Sequence, residues 1–131
     1  MYTMKSICDE LHIPYETLRY YCNEGLVPNV KRDQNNYRIF DDRDLSWLTS
    51  LQCLRKCGLS IKEIKEYLNL CLEGPSSIET RKKMLAVRKE ILLQEIESIQ
   101  ASIAFIDHKQ EFYDGVLSGT IKYTSNLISV D

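Results

Sequence analysis

Tyr15-Glu16-Thr17-Leu18-Arg19-Tyr20-Tyr21-Cys22-Asn23-Glu24-Gly25-Leu26-Val27-Pro28 is the stretch on which the fold turns. Pro14 ahead of it suits a helix entry and Gly25 suits a left-handed C-terminal cap, so a helix is predicted from about Tyr15 to Glu24. At 100° per residue, Leu18, Tyr21 and Cys22 fall on the inward face, while Glu16, Arg19, Tyr20 and Asn23 point outward. Upstream, Met4, Ile7, Cys8 and Leu11 keep helical spacing behind Thr3, a plausible N-cap, until His12-Ile13-Pro14 breaks the run. Two short helices joined by a tight turn form the helix-turn-helix pattern, and the outward face of the second is its groove-facing candidate.

Downstream, residues 28 to 40 carry Lys31-Arg32, the turn-like Asp33-Gln34-Asn35-Asn36 and then Tyr37-Arg38-Ile39-Phe40. This reads as a small β-hairpin, a wing, with basic and aromatic residues on its arms. A third helix is predicted from about Asp42 to Lys56 with Gly58 closing it, and Ser60-x-x-Glu63 is a capping box that opens a fourth helix to about Leu72. Glu73-Gly74-Pro75 stops that one.

From Ser77 to about Tyr113 there is no Gly or Pro, and Ile78, Leu85, Leu92, Ile96, Ile99, Ile103, Ile106 and Tyr113 repeat at spacings of the coiled-coil kind. Lys82, Lys89 and Gln110 interrupt this seam. Roughly 37 residues at about 1.5 Å each span on the order of 55 Å, against a radius of gyration of about 14 Å for a compact chain of this size. Such a helix is expected to project. With no second helix of comparable length in the chain, the economical partner for its seam is another copy, a homodimer joined through Leu85, Leu92, Ile96, Ile99, Ile103 and Ile106. The expected organisation is therefore mainly α: a DNA-binding domain over residues 1–75, a dimerisation helix over 76–113, and a tail over 114–131 whose mildly apolar residues have no assigned place.

The chain of 131 residues is 44% hydrophobic and 27% charged, in the range of soluble folded proteins. No apolar segment approaches membrane-spanning length and the first residues lack a signal-peptide pattern, so a cytoplasmic protein is expected. Five cysteines at irregular spacings argue for free thiols rather than a disulfide framework. Residues 1 to 60 hold eight Lys+Arg against eight Asp+Glu, so an attraction to nucleic acid has to rest on placement rather than on bulk charge. An enzyme is disfavoured, because there is no glycine-rich phosphate loop, no Ser/His/Asp ordering and no motif around His12 or His108. No cofactor is expected.

Tyr2-Thr3-Met4-Lys5, Thr17-Leu18-Arg19-Tyr20-Tyr21, Glu24-Gly25-Leu26-Val27-Pro28, Tyr37-Arg38-Ile39-Phe40, Asp44-Leu45 and Leu54-Arg55-x-x-Gly58-Leu59-Ser60-Ile61-x-x-Ile64 resemble, in order, the MerR family of transcription regulators. The resemblance covers about residues 2 to 72. It implies a winged helix-turn-helix whose long helices pair antiparallel in a homodimer. It also implies binding to double-stranded promoter DNA at a pseudo-palindromic element, which is bent and untwisted so that RNA polymerase can use it. Tyr15, Thr17, Arg19, Tyr20, Tyr37 and Arg38 match family positions used on DNA. Lys31 and Arg32 add phosphate contacts in this reading, with Thr3 and Arg55 as weaker candidates. The wing departs from the family in carrying Asn36 where Gly is common, a residue that tolerates left-handed backbone angles.

Metal-sensing relatives place cysteines at the end of the long helix and after it, whereas this chain has none beyond Cys71, so no metal site is expected. A second branch, responsive to aldehydes and electrophiles, carries a cysteine just before Leu-Arg-x-x-Gly, the position of Cys53. Helical angles set Cys53 and Cys57 nearly opposite the Leu48, Leu51, Leu54 stripe, facing a partner helix or solvent. Two readings of Cys53 stand side by side, a thiol sensor and an inert packing residue. The multidrug branch carries a large C-terminal ligand domain, and here fewer than 20 residues follow the long helix. An excisionase-like architectural protein, which shares the winged fold without sensing anything, is the alternative, and the long helix argues against it.

Overall fold

A computed structural model describes residues 1–130. The chain is mainly helical: β1 (Tyr2–Thr3), α1 (Met4–Leu11), α2 (Tyr15–Asn23), β2 (Lys31–Arg32), β3 (Arg38–Phe40), α3 (Asp42–Lys56), α4 (Ile61–Glu73), a 3-10 turn (Pro75–Ser77) and α5 (Ile78–Ser118). It forms two compact units, Met1–Arg88 and the chain from Lys89 on.

In the first unit, local chemistry sets the element ends. The Thr3 hydroxyl accepts the Ser6 N–H at 3.1 Å while the Ser6 hydroxyl accepts the Thr3 N–H at 2.7 Å. Asp41 with Asp44, and Ser60 with Glu63, form the same reciprocal caps on α3 and α4. At the other end of α2, Gly25 adopts φ +74° and the Leu26 N–H reaches back to the Tyr21 carbonyl at 3.0 Å, the left-handed cap that the sequence predicts. The wing turn holds too, with Asn36 at φ 66° and the Asp33 carboxylate accepting the N–H groups of Asn35 and Tyr37 at 2.9 and 3.0 Å.

The sheet has order β1-β3-β2, all antiparallel, with Tyr2 opposite Phe40 and Arg32 opposite Arg38. Strand β1 has no counterpart in the sequence reading: two residues carry no alternation pattern, and only pairing with β3 reveals them. Helices α1 to α4, strand β3 and the loops after α2 and α3 contribute to one core, with Tyr2 of β1 packed against it. Ile7, Leu18, Leu26, Phe40, Leu48, Leu51, Leu59 and Ile64 are all fully buried in it. Trp47 Nε1 donates to the Leu26 carbonyl at 2.6 Å and Gln52 Nε2 to the Leu11 carbonyl at 3.1 Å, so α3 is tied to the end of α1 and to the loop after α2.

The unit runs on to Arg88, past the boundary drawn at residue 75 from sequence. The reason lies in two arginines seven residues apart on α5. Arg81 Nη2 donates to the Gly74 carbonyl at 2.7 Å and its Nε to the Ser77 hydroxyl at 3.0 Å, while Arg88 Nε donates to the Cys57 carbonyl. Arg88 thus caps a carbonyl at the C-terminal end of α3, and Arg81 adds a donor to the Gly74 carbonyl that also accepts the Ser77 N–H.

In the second unit, α5 continues to Ser118 instead of ending at Tyr113 as the sequence pattern has it. Gly115 is helical and buried, because the tail returns onto it: a Cβ there would lie 2.3 Å from Ile121 Cδ1. The true stop is Gly119 at φ +82°, where the Thr120 N–H reaches the Gly115 carbonyl at 2.9 Å and the Gly119 N–H reaches that of Val116 at 3.2 Å. The tail, unplaced from sequence, folds back so that the Tyr123 ring lies 6.4 Å from that of Phe112.

Candidate nucleic-acid interface

Helix α2 presents Arg19 and Tyr20 to solvent, as its periodicity predicts, while Leu18 and Tyr21 enter the core. Arg19 has an acidic neighbour on its own helix, Glu16, at 3.7 Å. Both side chains are well exposed, so the pair is weak and the guanidinium stays available to a stronger anion. Thr17 is half-buried on the flank of the helix, a less open position than the DNA role expected of it.

The remaining candidates meet at the wing. Tyr15, at the start of α2, joins Arg32, Tyr37 and Arg38 around a cleft of about 390 Å³ that Thr3, Lys5 and Asn36 also line. Its one acid, Asp33, is engaged by the turn N–H groups, so the cleft offers outward cations and phenols with no free carboxylate. Arg38 Nη2 donates to Asn23 Oδ1 at 2.7 Å, joining the wing to the end of the reading helix, and Arg32 Nη1 donates to the Asn36 carbonyl at 2.8 Å, bracing the turn. Arg38, Arg32, Lys5 and the phenols of Tyr15 and Tyr37 bring hydrogen-bond donors of the kind that bind phosphate oxygens to one cleft, and Arg19 and Tyr20 stand exposed on α2 beside it in the chain. This gathers cations around one cleft within residues 1–60, whose formal charges sum to zero.

Lys31 is different. Its ammonium lies 3.8 Å from the Asp41 carboxylate at the head of α3, on the wing arm but outside the cleft. Arg55, a weaker candidate, is exposed and lies outside the cleft, and its Nη1 donates to the Leu59 carbonyl at 2.9 Å, closing the turn after α3. Lys5, by contrast, was not anticipated. The pairing of β1 with β3 brings the head of α1 beside the wing, and nothing in the local sequence around Lys5 signals that.

The cysteines divide by position. Cys8, Cys22 and Cys57 pack partly buried against the core, and burial pushes the thiols of Cys8 and Cys22 up from their ordinary range. Cys71 lies within 3.9 Å of Arg81 Nη1. Cys53 is exposed on α3 in the single chain, whereas Cys57, expected on the same face, is partly buried. Among the described residues no cluster of three or more His, Cys, Asp or Glu side chains is arranged to hold a metal.

Residues 2–71 match the profile of the MerR HTH family regulatory protein, which is more than half of the chain and includes every element of the winged helix-turn-helix. The chain belongs to the MerR family. Over 86% of its length this MerR regulator is 35% identical to an uncharacterized HTH-type transcriptional regulator of Haemophilus influenzae, 83% of which is covered. It is 41% identical to the HTH-type transcriptional regulator AdhR of Bacillus subtilis over 60% of its own length and 56% of that protein. Its fold matches the crystal structure of HiNmlR, a MerR family regulator lacking the sensor domain, bound to promoter DNA. That match has a TM-score of 0.75 at 33% identity and covers 89% of this chain and 93% of the other. This MerR protein is a transcription regulator, a member of a family of DNA-binding proteins rather than enzymes. Among the described residues no helix is long and apolar enough to cross a membrane.

Proposed function

We propose that this MerR regulator acts in the cytoplasm as a homodimer whose α5 helices pair antiparallel. In this reading it grips a pseudo-palindromic promoter element and distorts the DNA so that RNA polymerase can use it. The observation that carries the reading is the joint placement of Arg19 and Tyr20 on the reading helix with Tyr15, Arg32, Tyr37 and Arg38 around the wing cleft. The likeness to a family member bound to promoter DNA supports it. Homodimerisation is supported by the exposed stripe of Ile96, Ile99, Ile103 and Ile106, which no other element covers.

For the signal, the observation that favours a thiol is the exposure of Cys53, which an electrophile such as an aldehyde can reach. Addition there would place a new group between the Arg55 and Lys56 end of α3 and its surroundings, and so bias how the regulator holds its promoter. The test is light scattering on the purified chain, followed by titration with a palindromic promoter duplex before and after methylglyoxal. A dimer that binds DNA and changes its mode only while Cys53 is intact supports the whole reading. A dimer indifferent to the electrophile removes the thiol signal, and a monomer without DNA affinity removes the regulator reading itself.

A further inference from the structure

Glycine weakens a helix from within, yet Gly115 stands inside α5 and is the one buried residue of that helix. Ile121 accounts for it. A Cβ at position 115 would lie 2.3 Å from Ile121 Cδ1, and the N–H groups of Thr120 and Ile121 both reach the Gly115 carbonyl, at 2.9 and 3.0 Å. The tail is thus seated on the helix at a position that has no room for a side chain. Beyond this anchor a cleft of about 520 Å³ opens between the tail and α5, a size typical of small-molecule sites. Phe105, Phe112 and Tyr113 wall it from the helix and Tyr123 from the tail. Phe112 joins the walls, its ring centre 5.5 Å from that of Tyr113 and 6.4 Å from that of Tyr123. Phe105, Tyr113 and Tyr123 stay 63%, 52% and 42% exposed, so the cleft offers aromatic surface that its own chain leaves uncovered.

Charge is sorted around this part of α5. At 100° per residue Phe105, Lys109 and Phe112 share one side of the helix, and Asp107, Glu111 and Asp114 centre about 160° away from them. Among the described residues no carboxylate lines the cleft. Two basic side chains do. His108 is already matched to Glu111 at 3.9 Å, whereas Lys109 holds its ammonium 5.9 Å over the Phe105 ring, a contact that leaves the positive charge uncompensated. On the tail, the Ser125 hydroxyl accepts the N–H groups of Leu127 and Ile128 at 3.1 and 3.3 Å, and keeps its own proton to donate. The carbonyls of Gly115 and Val116 at the helix end are taken by Thr120, Ile121 and Gly119, and the negative end of a helix dipole fades within its last turn.

We infer that this cleft binds a small aromatic carboxylate, with its rings against Phe112 and Tyr123 and its carboxylate on Lys109 and Ser125. Aromatic walls complement the faces and edges of a flat ring. An ammonium with no carboxylate beside it favours an anion over a neutral molecule of the same shape. The stripe of Ile96, Ile99, Ile103 and Ile106 centres roughly 130° round the helix from Phe105, Lys109 and Phe112, so covering that stripe leaves this side of α5 free. The inference goes beyond the proposed function, since it involves neither the DNA-facing groups nor Cys53, and every lining residue belongs to the second unit.

Equilibrium dialysis of the full chain against 2-naphthoate, and against 2-naphthamide as its uncharged counterpart, tests the site. The parent is expected to bind 2-naphthoate saturably, one per chain, and 2-naphthamide about tenfold more weakly. Lys109→Met keeps the stem and removes the charge, and it is expected to bring 2-naphthoate down to the level of 2-naphthamide while leaving 2-naphthamide unchanged. Gly115→Ala favours the helix but unseats Ile121, so it is expected to weaken both ligands together with helix content preserved by circular dichroism. No saturable binding of 2-naphthoate to the parent overturns the site, and equal affinity for the two ligands overturns its preference for an anion. Binding of 2-naphthoate that Lys109→Met and Gly115→Ala both leave intact places the ligand elsewhere and overturns the assignment. Promoter titration of the same sample reads the regulator function separately, and its failure leaves the dialysis result standing.

Discussion

From Met1 to Arg88, Ile7, Leu18, Phe40, Leu48, Leu51 and Ile64 are completely shut away from water, while beyond Lys89 the isoleucines at 96, 99, 103 and 106 each keep half or more of their surface exposed. The two regions have similar stocks of apolar residues and place them oppositely. The first encloses its own core with five short elements, so its stability is a property of one chain. The second is a single long helix and a short return, and in it Gly115 is the one buried residue among those described. Its apolar face makes sense only against another surface. In the proposed function, DNA contact falls to the region with its own core and pairing to the region with the exposed apolar face.

Damage to the two regions should therefore look different. Phe40→Ala opens a cavity in the self-contained core and is expected to cost about 3–5 kcal/mol. Urea unfolding monitored by circular dichroism should show the midpoint drop at every protein concentration. The double substitution Ile99→Lys and Ile103→Lys places charges in the seam. It is expected to weaken promoter binding on the order of a hundredfold by separating the protomers, while the tertiary spectrum of residues 1–88 stays native; a dimer surviving it by light scattering would contradict the comparison.

Smaller effects sharpen the division within the first region. Arg19→Ala is expected to lower affinity for the natural operator by about tenfold, and a change within twofold would remove Arg19 from the reading face. Arg38→Ala, on the cleft, should instead weaken specific and random duplexes alike and reduce the slope of log affinity against log salt by about one.

The smallest effect concerns pH. The carboxyls of Asp41 and Glu63 are held below the ordinary carboxylate range, chiefly by the N–H groups of Asp44 and Ser60 respectively. A folded-state value below the unfolded one gives stability that is present above the unfolded value and is lost as pH falls through the lower, folded one. Asp41→Asn should therefore lower stability slightly at neutral pH, where the carboxylate's contribution is complete, and flatten the acid limb of the stability profile.

What the sequence discloses follows from how local each signal is. The caps at Thr3, Gly25, Gly58 and Ser60 depend on four or five consecutive residues, and all are legible. So is the outward set of α2, because one helical period fixes it. Strand β1 and the contribution of Lys5 depend on a contact with a segment 35 or more residues away, which no window of sequence contains. Gly115 misleads for the same reason: glycine argues for a helix end until Ile121 is seen lying across it. The bond from Arg55 to the Leu59 carbonyl is likewise invisible in the motif, since a motif match cannot say which way a guanidinium points.

Arg81 and Arg88 carry a last consequence. Standing two turns apart on one side of α5, they grip carbonyls at the ends of α4 and α3, and at Gly58 there is no room for a side chain beside the Arg88 guanidinium. A cylinder held at two points on the same side cannot roll. The angular setting of the first three turns of α5 is thereby indexed against the rest of the Met1–Arg88 unit, like a shaft by its keyway, and replacing either arginine would free that angle before it freed those turns.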